Sequence, residues 1–141
     1  MKIVVGVDGS DPSGRAVDWC AQHATSLDAA VIAVHAIDVA VIVTPMPAVV
    51  PLPQFSEIDR DQLRETVTTV WCAALARSGV PFRVVLSDDG AAVAIMETAR
   101  AEDADLVITG RRGRGGFAEL VLGSTTYALT HHLQRPLLII P

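Results

Sequence analysis

Five short apolar runs alternate with segments whose apolar residues recur every three or four positions, and that alternation leaves few folds open. The runs occupy residues 2–7, 29–36, 82–86, 106–109 and 137–140, each of strand length and each too short to stand as a helix. Asp8-Gly9-Ser10-Asp11-Pro12 closes the first run with turn residues and a proline suited to a helix's first turn. Ala16, Val17, Cys20, Ala24 and Leu27 then share helical spacing. The longest helix is expected from a Ser56/Asp59 capping pair, through Leu63, Val67, Val70, Trp71, Ala74 and Leu75, to a closing Gly79. Residues 91–101 and 125–132 supply two more helices. The order βαβαβαβαβ predicts a parallel sheet covered by helices and joined by right-handed crossovers. Sheets of that kind bind ligands beyond the carboxyl ends of their strands, where strand order reverses.

A chain of 141 residues, half of them hydrophobic, is expected to form one domain, residues 1–141, with a core that needs neither disulfide nor metal. Eleven basic against 16 acidic side chains give a net charge of -5, which argues against nucleic acid as a partner. Only residues 3–7 separate Lys2 from Asp8, fewer than the ~7–15 apolar residues of a secretory leader, so a cytoplasmic protein is expected. The longest apolar stretch, 29–43, contains His35 and Asp38 and falls short of the ~20 residues of a membrane span. Cys20 and Cys72 lie in separate helical segments without CxxC spacing and read as buried free thiols.

The chemistry concentrates after the fourth strand. Gly110-Arg111-Arg112-Gly113-Arg114-Gly115-Gly116-Phe117 places four glycines in seven positions and three arginines with no acid among them. Gly123-Ser124-Thr125-Thr126 then opens the last helix. Glycines let a phosphate approach main-chain N–H groups, and a helix start offers unpaired N–H groups with a partial positive charge. The hydroxyls of Ser124, Thr125 and Thr126 are further donors, with Ser124 equally suited to capping the helix. The segment therefore reads as an anion site. Lys2 is the only lysine, which excludes a Walker-type phosphate loop. Gly113-x-Gly115-x-x-Ala118 follows the fourth strand rather than the first and has no acid about 20 residues on, which argues against NAD or FAD.

The spacing Gly110-x2-Gly113-x9-Gly123-Ser124, the opening Val5-Gly6-Val7-Asp8-Gly9-Ser10, the strand Val34-His35-Ala36 and the ending Arg135-Pro136-Leu137-Leu138-Ile139-Ile140 together resemble the universal stress protein family. The resemblance implies a Rossmann-like α/β fold, an open five-stranded parallel sheet of order 3-2-1-4-5 with helices on both faces. It implies an adenine nucleotide, ATP or else ADP, AMP or cyclic AMP, held as a regulatory ligand by the glycine loop. It also implies that Val7 and Asp8 lie against the adenosine and that Ala36 borders the adenine; by residue type alone, Asp8 has a turn role as its alternative and Ala36 reads first as core. Arg111 stands where the family often has a small hydroxyl residue.

No catalytic set emerges. Ser124 lacks the G-x-S-x-G setting, and His131 and His132 diverge by about 100° on a helix, one of them expected to face the core or the helix surface. His35 reads as a satisfied core histidine, and Asp88-Asp89 as a turn or as a magnesium ligand pair, with Mg²⁺ expected to arrive on the nucleotide. Weak ATP hydrolysis and a nucleotide-independent interaction module stand as the alternative readings. Leu137, Leu138, Ile139 and Ile140 make an apolar edge strand, which by resemblance pairs with its copy in a homodimer. Residues 39–53, apolar and punctuated by Pro45, Pro47, Pro51 and Pro53, read by default as a packed connecting loop, with folding over the nucleotide, packing at the dimer seam and recruiting another protein as the alternatives.

Overall fold

In the computed structural model, which describes residues 1–37, 57–113 and 121–141, the strands are β1 (Lys2–Gly6), β2 (Ala30–Ala36), β3 (Phe82–Ser87), β4 (Leu106–Gly110) and β5 (Leu137–Ile140). They form one sheet in the order β3-β2-β1-β4-β5, and every pair is parallel. β1 lies at the centre, with Val5 opposite Ala33 of β2 and Ile108 of β4. Its side chains alternate between two cores, as the period of a strand requires. Ile3 and Val5 pack with Ala16, Val17, Cys20, Val67, Cys72 and Leu75 on one face. Val4 packs with Val34, Ile95, Ala99, Val107 and Leu129 on the other.

The helices are α1 (Asp11–His23), α2 (Glu57–Thr66), α3 (Ala73–Ser78), α4 (Ala91–Ala101) and α5 (Ser124–His132). Ser10 caps α1, with Pro12 in its first turn. α1 stops at His23, so Leu27 lies beyond it in an exposed turn that Asp28 closes at φ 46°. The long helix expected from 56 to 79 is three segments rather than one. α2 and α3 flank a π-helical turn, Val67–Trp71, in which Cys72 N–H reaches Val67 C=O at 2.9 Å. The hydroxyls of Thr66, Thr68 and Thr69 donate to the carbonyls of Gln62, Arg64 and Glu65 four residues back. Such bonds compete with the helical ladder and bend it. Gly79, at φ 74°, ends α3 as expected, whereas Ser56 of the expected capping pair lies outside the described residues.

Ion pairs of Lys2 and Arg83 with Glu102, and of Arg135 with Asp103, gather at the amino ends of the strands. The carboxyl ends are left to the loops. No described helix is long and apolar enough to cross a membrane.

Cys20 and Cys72 are both fully buried in the first core and form no disulfide. Burial, and then the neighbouring Cys72, push the Cys20 thiol up to about 12, and burial pushes Cys72 up to about 11, against an ordinary value of 9.0. Above pH 9 the unfolded chain releases these protons before the folded one does. Their stabilising contribution is therefore complete below pH 9 and is lost as pH rises toward 11–12. Thermal unfolding from pH 8 to pH 10 is expected to show a loss of about 1–3 kcal/mol that a Cys20→Ala/Cys72→Ala variant lacks.

Candidate functional site

β1 and β4 are neighbours whose crossovers leave in opposite directions, so the order reverses between them. The loops that follow them meet there. Beyond β1, Val7 is buried and its N–H donates to Val34 C=O at 2.9 Å. Asp8 N–H donates to Ser13 Oγ at 3.1 Å. Asp8 Oδ1 accepts from the Ser10 N–H at 2.9 Å and from the Ser10 hydroxyl at 2.6 Å, the turn that its sequence setting allowed. The carboxylate is thus fixed at the mouth of the β1 loop, half-buried.

Beyond β4 the backbone comes so close to α1 that residue 110 has room only for hydrogen. A Cβ on Gly110 would lie 2.6 Å from the Pro12 carbonyl carbon. A Cβ on Gly113 would lie 2.5 Å from Asp8 Oδ2, and one on Gly123 would lie 3.2 Å from Arg112 Cα. Gly123 N–H donates to Arg111 C=O at 2.9 Å, while Arg111 N–H donates to Ile140 C=O at 2.7 Å. The two ends of the 111–123 loop are pinned together, with Asp8 against Gly113 on one side and β5 on the other.

α5 starts inside this pinch. Gly123 is its N-cap and offers no side chain to its first N–H groups, so Ser124 is the first helical residue and not the cap. Ser124 is exposed and Thr125 half-buried. Thr126 is turned inward: it is 2% exposed and its hydroxyl donates to Gly110 C=O at 2.9 Å. That hydroxyl ties the loop to the helix and is not aimed outward as a phosphate donor would be. Arg111 is exposed, and Arg112 Nε is buried without a hydrogen-bond partner. An unpaired buried guanidinium N–H is costly and marks a place where an anion is favoured.

Ala36 ends β2 half-buried, in register with Ser87 of β3. Arg114 and Gly115, and the loop 39–53, lie outside the described residues. His131 and His132 are both exposed, so neither enters the core. Asp88 pairs with Arg60 at 2.5 Å and Asp89 accepts from the Ser87 hydroxyl, which gives both aspartates protein partners. No cluster of three or more metal-ligating side chains occurs among the described residues. Three site residues carry little sequence signal: Pro12, which seats Gly110; Ser13, which holds Asp8 N–H; and His35, whose Nδ1 lies 2.8 Å from Val7 O. Pro12 has a pattern only as a first-turn helix residue, and His35 only as a core histidine.

The family model of the universal stress proteins matches residues 1–141. The chain belongs to the universal stress protein family. A universal stress protein of Thermus aquaticus is 32% identical over 139 residues, spanning 98% of this chain and 96% of its own. Among solved structures, a universal stress protein of Lactobacillus plantarum superposes with a TM-score of 0.81 at 20% identity, covering 100% of this chain and 97% of that one. The Archaeoglobus fulgidus universal stress protein in complex with dAMP gives 0.71 at 20% identity, covering 100% and 98%. A universal stress protein in complex with cAMP gives 0.72 at 23% identity, covering 99% and 95%. A family protein from Arabidopsis thaliana with AMP bound gives 0.64 at 14% identity, covering 99% and 90%.

Gly110→Ala is expected to force β4 off α1. The variant should lose about 1–3 kcal/mol in chemical denaturation, as overpacked cores do, whereas Gly90→Ala, where a Cβ meets nothing, should change little.

Proposed function

We propose that the chain is an adenine-nucleotide-binding regulatory protein of the universal stress type, a single unit that senses ATP or a related nucleotide through the pinch between β1 and β4. The observation that carries this reading is the closely packed glycine loop at the strand-order reversal, with an unpartnered buried N–H of Arg112 beside it. Gly110 and Gly113 leave no room for a Cβ against Pro12 and Asp8, Gly123 packs tightly on Arg112, and a buried guanidinium N–H there has no partner. The bound dAMP, cAMP and AMP of the fold relatives supply the nucleotide class.

A single helix terminus contributes about 0.3–1 kcal/mol to a nearby anion, and micromolar affinity needs about 8 kcal/mol, so several donors must converge. The N–H groups of Gly113, Ser124 and Thr125, the Ser124 hydroxyl and the guanidinium groups of Arg112 and Arg111 are the groups proposed to hold phosphate. Gly110 and Gly123 shape the loop, Thr126 ties it down, and Arg114 and Gly115 continue it. Val7, Asp8 and Ala36 are assigned to the adenosine side, where the carboxylate can accept from a ribose hydroxyl. Mg²⁺ is expected to enter with the nucleotide.

The same reading makes the chain a homodimer. β5 pairs with β4 on one side only among the described residues, and all four of its side chains are apolar. Pro136 and Ile140 use their carbonyls toward β4, so by alternation Leu137 and Ile139 direct their backbone groups to the open edge, where a second copy of Leu137–Ile140 can pair.

Calorimetry on nucleotide-stripped protein is expected to show binding of ATP, ADP, AMP or cyclic AMP, weakened at least tenfold by Gly113→Ala and by Gly123→Val. Heat-silent titrations with all four would overturn the reading, and unchanged affinity in both variants would overturn the loop assignment. For the dimer, Ile139→Pro removes one outward N–H and no bond to β4. Light scattering should fall from twice 14.9 kDa to 14.9 kDa, and an unaltered mass would exclude pairing through this edge.

A further inference from the structure

The pairing of β1 with β2 ends in an uncommon way. Gly6 is the last β1 residue in register, opposite Val34. Val7 N–H still donates to Val34 C=O, and a continuing parallel ladder would next offer the Val7 carbonyl the N–H of Ala36. The donor is a side chain instead, His35 Nδ1 at 2.8 Å. A carbonyl oxygen only accepts, so Nδ1 carries the hydrogen and the tautomer is set.

What holds the imidazole is equally specific. His35 is 8% exposed and points to the face of the sheet that α1 and the π-helical turn cover. Trp71, the last residue of that turn, meets its ring edge to face, with centroids 4.9 Å apart and planes at 76°. A π turn holds one residue more than an α turn, and its removal would swing every later side chain by about 100°. The irregularity in the long helix is thus tied to the position of one indole.

We propose that His35 and Trp71 are a positioning pair for the nucleotide site, in which Trp71 fixes the imidazole and the His35 Nδ1–H holds the Val7 carbonyl, keeping Val7 and Asp8 splayed from β2 where the ligand enters. Neither side chain needs to touch the ligand. Asp8 is the next residue after Val7 and faces Gly113 across the cleft. A displaced Val7 carbonyl therefore changes the distance between the adenosine side and the phosphate loop. The inference rests on the proposed nucleotide binding.

The test is calorimetry with ATP and with AMP on wild type, His35→Asn, His35→Gln and His35→Leu, each with its melting temperature. An asparagine amide places its N–H near the position of Nδ1, and a glutamine amide near that of Nε2. His35→Leu and His35→Gln are expected to weaken binding about tenfold, the worth of one buried hydrogen bond, while His35→Asn stays within about threefold of wild type. Trp71→Phe keeps the edge contact and should stay within about threefold, whereas Trp71→Ala should behave as His35→Leu does. Equal behaviour of the Asn and Gln variants, or affinity losses that merely follow melting temperature, would show a structural role alone and overturn the proposal. Failure of the wild type to bind either nucleotide removes the proposed function and this role with it; binding that all His35 variants leave intact removes this role only.

Discussion

The carboxyl end of β4 rests directly on the first turn of α1, and the geometry of the site follows from that contact. Gly110 can lie there because a hydrogen is all that stands between its Cα and the Pro12 backbone. From that seat its carbonyl accepts the Thr126 hydroxyl, and the next residue reaches β5 through the bond from Arg111 N–H to Ile140 C=O. Gly123 then closes the loop on Arg111. A side chain at position 110 would lift all three partners at once, so the glycine loop, the start of α5 and the edge strand form one mechanical unit. A ligand that moves the loop therefore has a short path to the strand proposed to join two copies.

Much of the architecture was legible because it depends on short-range pattern. Apolar runs of strand length and turn residues marked each strand to within a residue or two, and Ala91–Ala101 and Leu137–Ile140 are as the periodicity set them. The break in the helix after α2 was not legible. Leu63, Val67, Trp71 and Leu75 recur every four residues, a spacing that an unbroken helix also accommodates, so it does not announce the extra residue of the π turn; the competing bonds of Thr66, Thr68 and Thr69 are local choices that apolar periodicity does not report. Leu27 misled for the opposite reason: its spacing is helical, but α1 has ended at His23 and Leu27 lies in the turn that Asp28 closes.

The site divides in the same manner. The glycine spacing announced a loop that must approach other backbone closely, but not what it approaches; Pro12 and Asp8 are about 100 residues away in sequence and meet it only through the parallel order of β1 and β4. Thr126 shows the limit of reading a motif by residue type, since its hydroxyl serves Gly110 and not the exterior. Net charge says nothing of the site itself. The chain carries -5 overall, yet at the mouth of this loop Arg112 keeps a buried, unpaired N–H, a local preference for an anion that an average conceals. The charged pairs lie mostly elsewhere, at the amino ends of the strands.

Backbone amide shifts recorded while labelled protein is titrated with ATP test the placement of the ligand most directly. Val7, Asp8, Gly113, Gly123, Ser124 and Thr125 are expected to move together on one saturating curve, while Lys2, Arg83 and Glu102 at the opposite end of the sheet stay still. Shifts centred on any other surface, or none at millimolar ATP, would contradict a nucleotide site between β1 and β4.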